Sequence, residues 1–251
     1  MRSIVISDLH QRFRWVEPYL ASQSYDEVIF MGDYFDNHRD TPEDAAETAR
    51  WLKESLAKPK RVHLMGNHDV WYGYGCGYAR CGDNTTENKE AIEKILSVDD
   101  WEQIGLCHFS QKFLLSHAGI HERWFSHPVH GVYVEYVKRI CEMGRKNLLV
   151  GNPDPIFMAG RARGGGYGQR PGGITWLDFN HEFKPIEGVN QIVGHTSHST
   201  PESDGVVKWM PNKERPRSTN YCVDFHNKWI TIIEDGVVTF EKSPLHSSRS
   251  S

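Results

Sequence analysis

The chain has 251 residues, with 29 Lys and Arg against 33 Asp and Glu, 14 His and 5 Cys. Its length fits one large domain or two small ones, and its net charge of −4 argues against a general nucleic-acid binder, because neutralising phosphates needs clustered Lys and Arg. No apolar run reaches the roughly 18–20 residues that span a bilayer, so we expect no membrane contact. The N-terminus lacks the features of a signal peptide, and the five cysteines are scattered. Together these features predict a cytoplasmic protein with reduced thiols.

Five short apolar runs each end at a tight polar turn that carries Asp, Asn or His. Continuous apolar runs of this length favour strands that are buried on both faces. In open α/β sheets ligands bind beyond the carboxyl ends of the strands. We therefore expect the functional site to lie at the sheet edge that these turns form. The runs and their turns are Ile4–Ile6 with Asp8-Leu9-His10, Val28–Met31 with Gly32-Asp33, Val62–Met65 with Gly66-Asn67-His68-Asp69, Phe113–Leu115 with Ser116-His117-Ala118-Gly119, and Gln191–Val193 with Gly194-His195-Thr196.

Helical patterns lie between these strands. Thr41 followed by Pro42 predicts the start of a helix, with an N-cap residue and proline at the first helical position. Residues 86–96 carry an amphipathic stripe, and a third helix is predicted near 133–147. Residues 151–175 are rich in Gly, Pro and Arg, and they predict a long loop over the site.

The C-terminal part of the sequence has a different pattern. It predicts strands at Tyr221–Val223, Trp229–Ile233 and Val237–Phe240. Asp235-Gly236 between the last two is a hairpin-turn signal. We expect these strands to add antiparallel pairs to a second sheet packed on the first. The organisation predicted is a single domain over residues 1–242 and a flexible tail over 243–251.

Together the five turns resemble, in order and residue type, those of the calcineurin-like metallophosphoesterases, from about residue 4 to 198. The Ser116-His117-Ala118-Gly119 and Gly194-His195-Thr196 turns are most similar to the serine/threonine protein phosphatase and diadenosine tetraphosphatase branch. The resemblance implies an α/β fold, namely a four-layer α/β/β/α sandwich of two mixed sheets flanked by helices.

The resemblance also implies a binuclear metal centre. Phosphate ester hydrolysis at neutral pH needs an activated water and neutralisation of phosphoryl charge, which two divalent ions about 3.5–4 Å apart supply. The ligands implied are Asp8 and His10 on the first ion, Asn67, His117 and His195 on the second, and Asp33 as the bridge between them. Mixed oxygen and imidazole ligands suit Mn²⁺, which we expect first, and also Fe, Zn²⁺, Mg²⁺ or Ni²⁺.

His68 has a different implied role, which is to protonate the leaving alkoxide. An imidazole with a pKa near ~6.5 can hold a proton at neutral pH when a carboxylate helps it. The resemblance assigns that help to Asp36, whereas Asp69 is expected to make supporting hydrogen bonds. A further metal ligand or a structural turn residue is the alternative for His68.

We expect an arginine side chain to bind the phosphate group of the substrate. Protein phosphatases of this family usually follow the second Asp of the Gly-Asp motif with Arg-Gly, but this chain has Asn37-His38 there and Arg39 two positions later than expected. Arg39, or Arg161 and Arg163 of the Gly-rich loop, are the candidates, since guanidinium groups match phosphate oxygens. Solvated loop arginines are the alternative for each.

The function predicted is a binuclear-metal phosphoesterase that hydrolyses phosphate monoesters, like a phosphoprotein phosphatase, by attack of a metal-bridging hydroxide. A diadenosine polyphosphate hydrolase or a nucleotide or cyclic-nucleotide phosphoesterase is the alternative, because the same core serves those substrates. A non-catalytic metal-binding scaffold is a minor alternative, since the chain keeps His68 and all six implied ligands. The expected partner is a phosphorylated protein or nucleotide rather than duplex nucleic acid.

Overall fold

Two packed sheets with helices around them make up the structure, a computed structural model that describes residues 1–124, 133–165, 170–210 and 218–246. The strands within these ranges are β1 (Arg2–Ile6), β2 (Glu27–Phe30), β3 (Arg61–His63), β4 (Cys107–Ser110), β5 (Phe113–Ser116), β6 (Asn190–Val193), β7 (Val207–Met210), β8 (Ser218–Cys222), β9 (Trp229–Glu234) and β10 (Val237–Lys242). The helices are α1 (Val16–Ala21), α2 (Pro42–Leu56), α3 (Asn67–Tyr74), α4 (Thr86–Glu93), α5 (Val98–Glu102) and α6 (Tyr133–Leu149). None of the described helices is long and apolar enough to cross a membrane.

The first sheet has the strand order β10-β9-β1-β2-β3, and the second has the order β4-β5-β6-β8-β7. Strands β1, β2 and β3 run parallel, and so do β5, β6 and β8, whereas the outer pairings are antiparallel. Both sheets are therefore mixed, which confirms the predicted α/β sandwich.

The two sheets pack face to face through one apolar cluster. Val5, Ile29 and Met31 of the first sheet and its following turn meet Leu115 and Ile192 of the second, and all five are almost fully buried. Burying such a side chain contributes about 1.5–3 kcal/mol, so the cluster fixes how the sheets lie against each other. It also explains why the central strands read as continuous apolar runs, since helices cover their outer faces.

The C-terminal hairpin lies in the first sheet, so its predicted place in the second sheet is wrong. Strand β9 pairs antiparallel with β1, with Ile232 opposite Ile4, and the turn at Asp235-Gly236 leads into β10 as predicted. Strand β8 does join the second sheet, where it pairs antiparallel with β7 and parallel with β6, with Tyr221 opposite Ile192. The hydrophobic pattern of a strand does not by itself specify which of two sheets the strand joins.

The helix starts follow the predicted capping residues. Thr41 caps α2 through a capping box with Asp44, and Pro42 occupies the first helical turn. The helix predicted over 86–96 is shorter, because α4 ends at Glu93 and Ser97 then caps α5. Helix α6 extends to Leu149, two residues beyond the predicted end.

The predicted loop and tail are partly described. Between 151 and 175 the chain forms two short 3₁₀ turns, Pro155–Phe157 and Arg161–Arg163, while residues 166–169 lie outside the described residues. The predicted tail starts at Ser243. This residue is buried, and its backbone N–H donates to Lys228 O at 3.0 Å. The chain is described as far as residue 246. Residues 247–251 lie outside the described residues.

Candidate active site

Left-handed backbone marks the turns at the carboxyl ends of the strands. Asp8 (φ 49°), His10 (φ 41°), Asp33 (φ 52°), Asp36 (φ 62°) and His195 (φ 65°) all adopt it. This region is sparsely populated by residues other than glycine, although Asp, Asn and His enter it most readily. Residues held in strained backbone cluster at functional sites. Five such residues lie at this one edge. Their side chains are therefore held in place at the cost of an unfavourable backbone conformation.

Two glycines let the turns approach each other. A Cβ atom at Gly66 would lie 2.1 Å from Asp33 Oδ1, and one at Gly194 would lie 2.3 Å from Asp8 Oδ2. Both distances are far below any real Cβ contact, so only glycine fits at either position. The glycines of the Gly-Asn-His-Asp and Gly-His-Thr turns therefore bring the polar side chains of neighbouring strands together.

The first cluster joins the ends of β1 and β2. The potential ligand atoms of Asp8, His10 and Asp33 all lie within 4.8 Å of one another. His10 Nδ1 lies 2.9 Å from the backbone oxygen of Asp36 and 3.1 Å from that of Phe35. Because carbonyl oxygens only accept hydrogen bonds, Nδ1 carries a proton, and in the neutral ring Nε2 then carries the lone pair. That lone pair faces Asp33 Oδ2 at 3.6 Å.

The second cluster joins β2 to β3, β5 and β6. The potential ligand atoms of Asp33, His117 and His195 also lie within 4.8 Å of one another. His117 Nδ1 donates to Met31 O at 2.8 Å, so His117 Nε2 carries a lone pair. This atom lies 3.5 Å from Asp33 Oδ2 and 3.2 Å from His195 Nδ1. It also lies 2.9 Å from Asn67 Oδ1, which has no proton to give either.

Burial and charge set the ionisation of these groups. Burial opposes ionisation of Asp33, but the positive charge that the neighbouring histidines carry when protonated, His117 first and then His68, outweighs it and holds the pKa of Asp33 below its usual range. Burial raises the pKa of Asp8, and the negative charge of Asp224 adds to that effect. Burial lowers the pKa values of His117 and His195, which favours the neutral form of each ring. Neutral imidazoles are the form that binds metal ions.

His68 lies beside the clusters and contacts Asp36. Its Nδ1 is 2.9 Å from Asp36 Oδ2, and Asp36 is buried. Two further side chains donate to this carboxylate, Tyr72 through its hydroxyl and Asn84 through its amide. Burial opposes the protonation of His68, but Asp33 and then Asp36 outweigh it and raise the pKa of His68 to about 9. The partners Tyr72 and Asn84 were missed at the level of sequence.

Asp69 makes the supporting hydrogen bonds expected of it. Its carboxylate accepts from the backbone N–H groups of Gly66 at 2.8 Å, Asp33 at 2.8 Å and Tyr34 at 2.9 Å. These three groups belong to the turns that follow β2 and β3. Asp69 is fully buried, and it thereby ties the turn of Asp33 to the turn of Asn67.

Of the three candidate arginines, Arg163 has described contacts at this edge. Its Nε lies 2.9 Å from Asp178 Oδ2, and its Nη2 donates to His195 O and Thr196 Oγ1, each at 3.4 Å. The side chain is 32% exposed. Arg163 therefore connects the Gly-rich loop to the turn after β6 and keeps part of its side chain exposed.

Arg39 and Arg161 lie in two other surface clefts. Arg39 is exposed, has φ 74°, and lines a small polar cleft of about 120 Å³ with Gln11 and Asp40. Arg161 is exposed and lines an open cleft of about 390 Å³ with His181 and Glu182. The structure thus brings together the six predicted ligands, His68 and Asp36, with Arg163 beside them.

The sequence profile of the calcineurin-like phosphoesterases matches residues 1–196, which carry all five turns. The chain belongs to this family. Members of the family typically bind divalent metal ions and act on phosphorylated substrates, so this calcineurin-like phosphoesterase is a hydrolase, and its two carboxylate–imidazole clusters are candidate metal sites. No curated protein matches the chain significantly.

Solved structures share the fold of this calcineurin-like phosphoesterase. A cold-active protein-tyrosine phosphatase of a psychrophile, Shewanella sp., superposes with a TM-score of 0.56 at 16% identity, over 96% of this chain and 80% of that chain. A mutant of a cold-active protein tyrosine phosphatase gives 0.56 at 17% identity, with the same coverage. At such identities the likeness shows the fold alone.

Proposed function

We propose that this chain hydrolyses phosphate monoesters with two divalent metal ions that share Asp33. The observation that carries the proposal is the position of Asp33 Oδ2, which lies 3.6 Å from His10 Nε2 and 3.5 Å from His117 Nε2. Both nitrogens present lone pairs to a carboxylate, so neither contact contains a proton in the neutral tautomers. Electron-pair donors that converge without a proton suit cations, and one carboxylate facing two such clusters suits a bridge.

The residues fit a pair of divalent ions. One set is Asp8, His10 and Asp33, and the other is Asn67, His117, His195 and Asp33. Carboxylate, amide and imidazole ligands accommodate Mn²⁺, our first choice, as well as Fe, Zn²⁺, Mg²⁺ or Ni²⁺. When bound, such ions acidify water and neutralise the phosphoryl oxygens.

The chain itself supplies the proton for the leaving group. His68 Nδ1 is bound to Asp36 Oδ2, so the proton that can be transferred lies on Nε2. The raised pKa of His68 keeps the ring protonated at neutral pH. Positive charge bound beside Asp33 would lower that pKa towards neutrality, where a general acid is most effective. Asp36 orients the ring and stabilises its cationic form, and Tyr72 and Asn84 hold Asp36.

Two observations favour monoesters over diesters. The two later turns resemble the serine/threonine protein phosphatase and diadenosine tetraphosphatase branch, in which the protein phosphatases act on monoesters. Arg163 places one guanidinium next to His195, where it can contact the non-bridging oxygens of a terminal phosphate. A phosphoprotein is the proposed substrate on these grounds.

A substrate panel tests the proposal. Metal-free protein is loaded with Mn²⁺ and given p-nitrophenyl phosphate, its bis ester, phosphopeptides, diadenosine tetraphosphate and 2′,3′-cyclic nucleotides. We expect kcat/KM to be highest for the monoesters by about 10-fold or more, a difference of about 1.4 kcal/mol in transition-state binding. Higher values for the bis ester or the dinucleotide would replace monoester hydrolysis by the nucleotide alternative.

Replacement of Arg163 by Ala is expected to raise KM for p-nitrophenyl phosphate about 10-fold, because a hydrogen bond to a charged group contributes roughly 1.5–3 kcal/mol. Arg39→Ala and Arg161→Ala are the matched controls, and we expect each to change KM by less than about twofold. Steady-state kinetics on the three variants checks the prediction. A larger effect at Arg39 or Arg161 would move phosphate binding to the corresponding cleft.

A further inference from the structure

The amide of Asn67 has two chemically different ends, and only one of them can bind a cation. Its Oδ1 carries lone pairs, whereas its Nδ2 carries two protons and has none to offer. Oδ1 lies 2.9 Å from His117 Nε2, on the side of the ligand cluster. Nδ2 points the other way and donates to Cys81 Sγ at 3.3 Å. The orientation of this amide therefore decides whether the second cluster gains an oxygen ligand.

Cys81 is held so that its sulfur can only accept from that amide. Its thiol donates to the backbone oxygen of Asn67 at 3.2 Å, which uses its single proton. Its backbone N–H donates to Asn84 Oδ1 at 2.7 Å, and the residue is 5% exposed. An inverted amide would place the oxygen of Asn67 against the sulfur lone pairs and two N–H protons against the ligand cluster.

We propose that Cys81 is a positioning residue that fixes the Asn67 amide with its oxygen towards the metal ligands. The inference rests on the proposed function, since it concerns how one proposed ligand is oriented. Groups that orient metal ligands typically change metal affinity about 10- to 100-fold when they are removed. Cys81 is expected to act in this way, because inverting the amide would lose the hydrogen bond from Nδ2 to Cys81 Sγ and, when a cation is bound, would turn N–H protons towards it.

Cys76 provides a matched control from the same segment. It is also buried, at 6% exposed, and its thiol lies 3.3 Å from Leu148 O and 3.6 Å from Tyr74 O. Its contacts therefore join α3 to α6 rather than reach Asn67. Replacing Cys76 by Ala removes a buried thiol of the same type without touching the amide.

The test is calorimetric titration of metal-free protein with Mn²⁺. We expect Cys81→Ala to weaken binding at one of two sites about 10- to 100-fold, and Cys81→Ser, which keeps a donor and an acceptor, to stay within about threefold of the native protein. Cys76→Ala should bind like the native protein. If Cys81→Ala does not fold, Cys81→Val fills the space and carries the same expectation. Native affinity at both sites in Cys81→Ala or Cys81→Val would overturn the inference.

A second background separates orientation from packing. In Asn67→Asp the two terminal atoms are both oxygens, so an inverted side chain presents the same ligand. Adding Cys81→Ala to Asn67→Asp should therefore change Mn²⁺ affinity by less than about threefold. An equal loss in both backgrounds would overturn the orienting role. A native protein that binds no Mn²⁺ would overturn the proposed function as well, whereas two sites unaffected by Cys81 would overturn this inference alone.

Discussion

Asp33→Asn is expected to lower kcat/KM for a phosphate monoester by about 10³-fold or more and to reduce bound Mn²⁺ from two ions to at most one per chain. The carboxylate faces lone pairs of His10 and His117 at 3.6 and 3.5 Å, so its charge serves both clusters. An amide offers one neutral oxygen. Loss of several kcal/mol of charge stabilisation in the transition state corresponds to about this factor.

Asparagine is the replacement that isolates charge from structure at this position. Asp33 has φ 52°, and Asn tolerates the left-handed region that would strain Ala. In metal-free protein its N–H₂ group can donate to the facing imidazole nitrogens, so we expect a Tm no lower than that of the native chain. Asp99→Asn, an exposed acid in the first turn of α5, is the control and should leave metal content unchanged. An active Asp33→Asn protein that binds two ions would contradict the proposed bridging role of Asp33.

His68→Gln is expected to slow hydrolysis in proportion to how poor the leaving group is. For an alkyl phosphate we expect kcat to fall about 10²–10⁴-fold, because the departing alkoxide then has no proton donor. For p-nitrophenyl phosphate, whose leaving group is already stable as an anion, we expect a loss of less than about 10-fold. Mn²⁺ content should stay at the native level, since the side chain of His68 is directed to Asp36.

Asp36→Asn provides the companion variant for this prediction. It removes the charge that faces His68 Nδ1 while keeping a side chain of the same shape, so the same dependence on leaving group should appear in weaker form. The measurement is kcat across a series of aryl and alkyl phosphates for each variant. Equal slowing of activated and unactivated esters by His68→Gln would show that His68 acts in some other way than proton donation.

The convergence of the candidate ligands follows from the sequence, whereas their partners do not. Each predicted ligand comes directly after an apolar run, and the carboxyl ends of parallel strands meet at one edge of a sheet. Asp36 is held by Asn84, which lies 48 residues further along the chain in no recognisable motif. Cys81 reaches Asn67 from the same segment. Asn84 and Cys81 reach these side chains because the segment after α3 returns to the site. The residue types in that segment do not by themselves predict this path.

The arginines and the C-terminal hairpin show the same limit at a larger scale. The sequence offered Arg39 near the Gly-Asp motif, or Arg161 and Arg163 in the Gly-rich loop, and only packing of that loop against the turn after β6 distinguishes Arg163. The hairpin signal at Asp235-Gly236 is local and is confirmed. The edge that the hairpin joins depends on long-range pairing of β9 with β1, to which a local turn signal contributes nothing.

The most direct test is hydrolysis of p-nitrophenyl phosphate by the native chain as Mn²⁺ is added back after chelation. If Asp33 joins two ions in one centre, activity should be absent in the metal-free protein and should rise until about two equivalents are bound. Activity should stay low while the first equivalent of Mn²⁺ binds and should rise with the second. One ion alone would leave one of the two ligand sets that share Asp33 empty. Full activity in the presence of chelator, or saturation at one equivalent, would contradict the account.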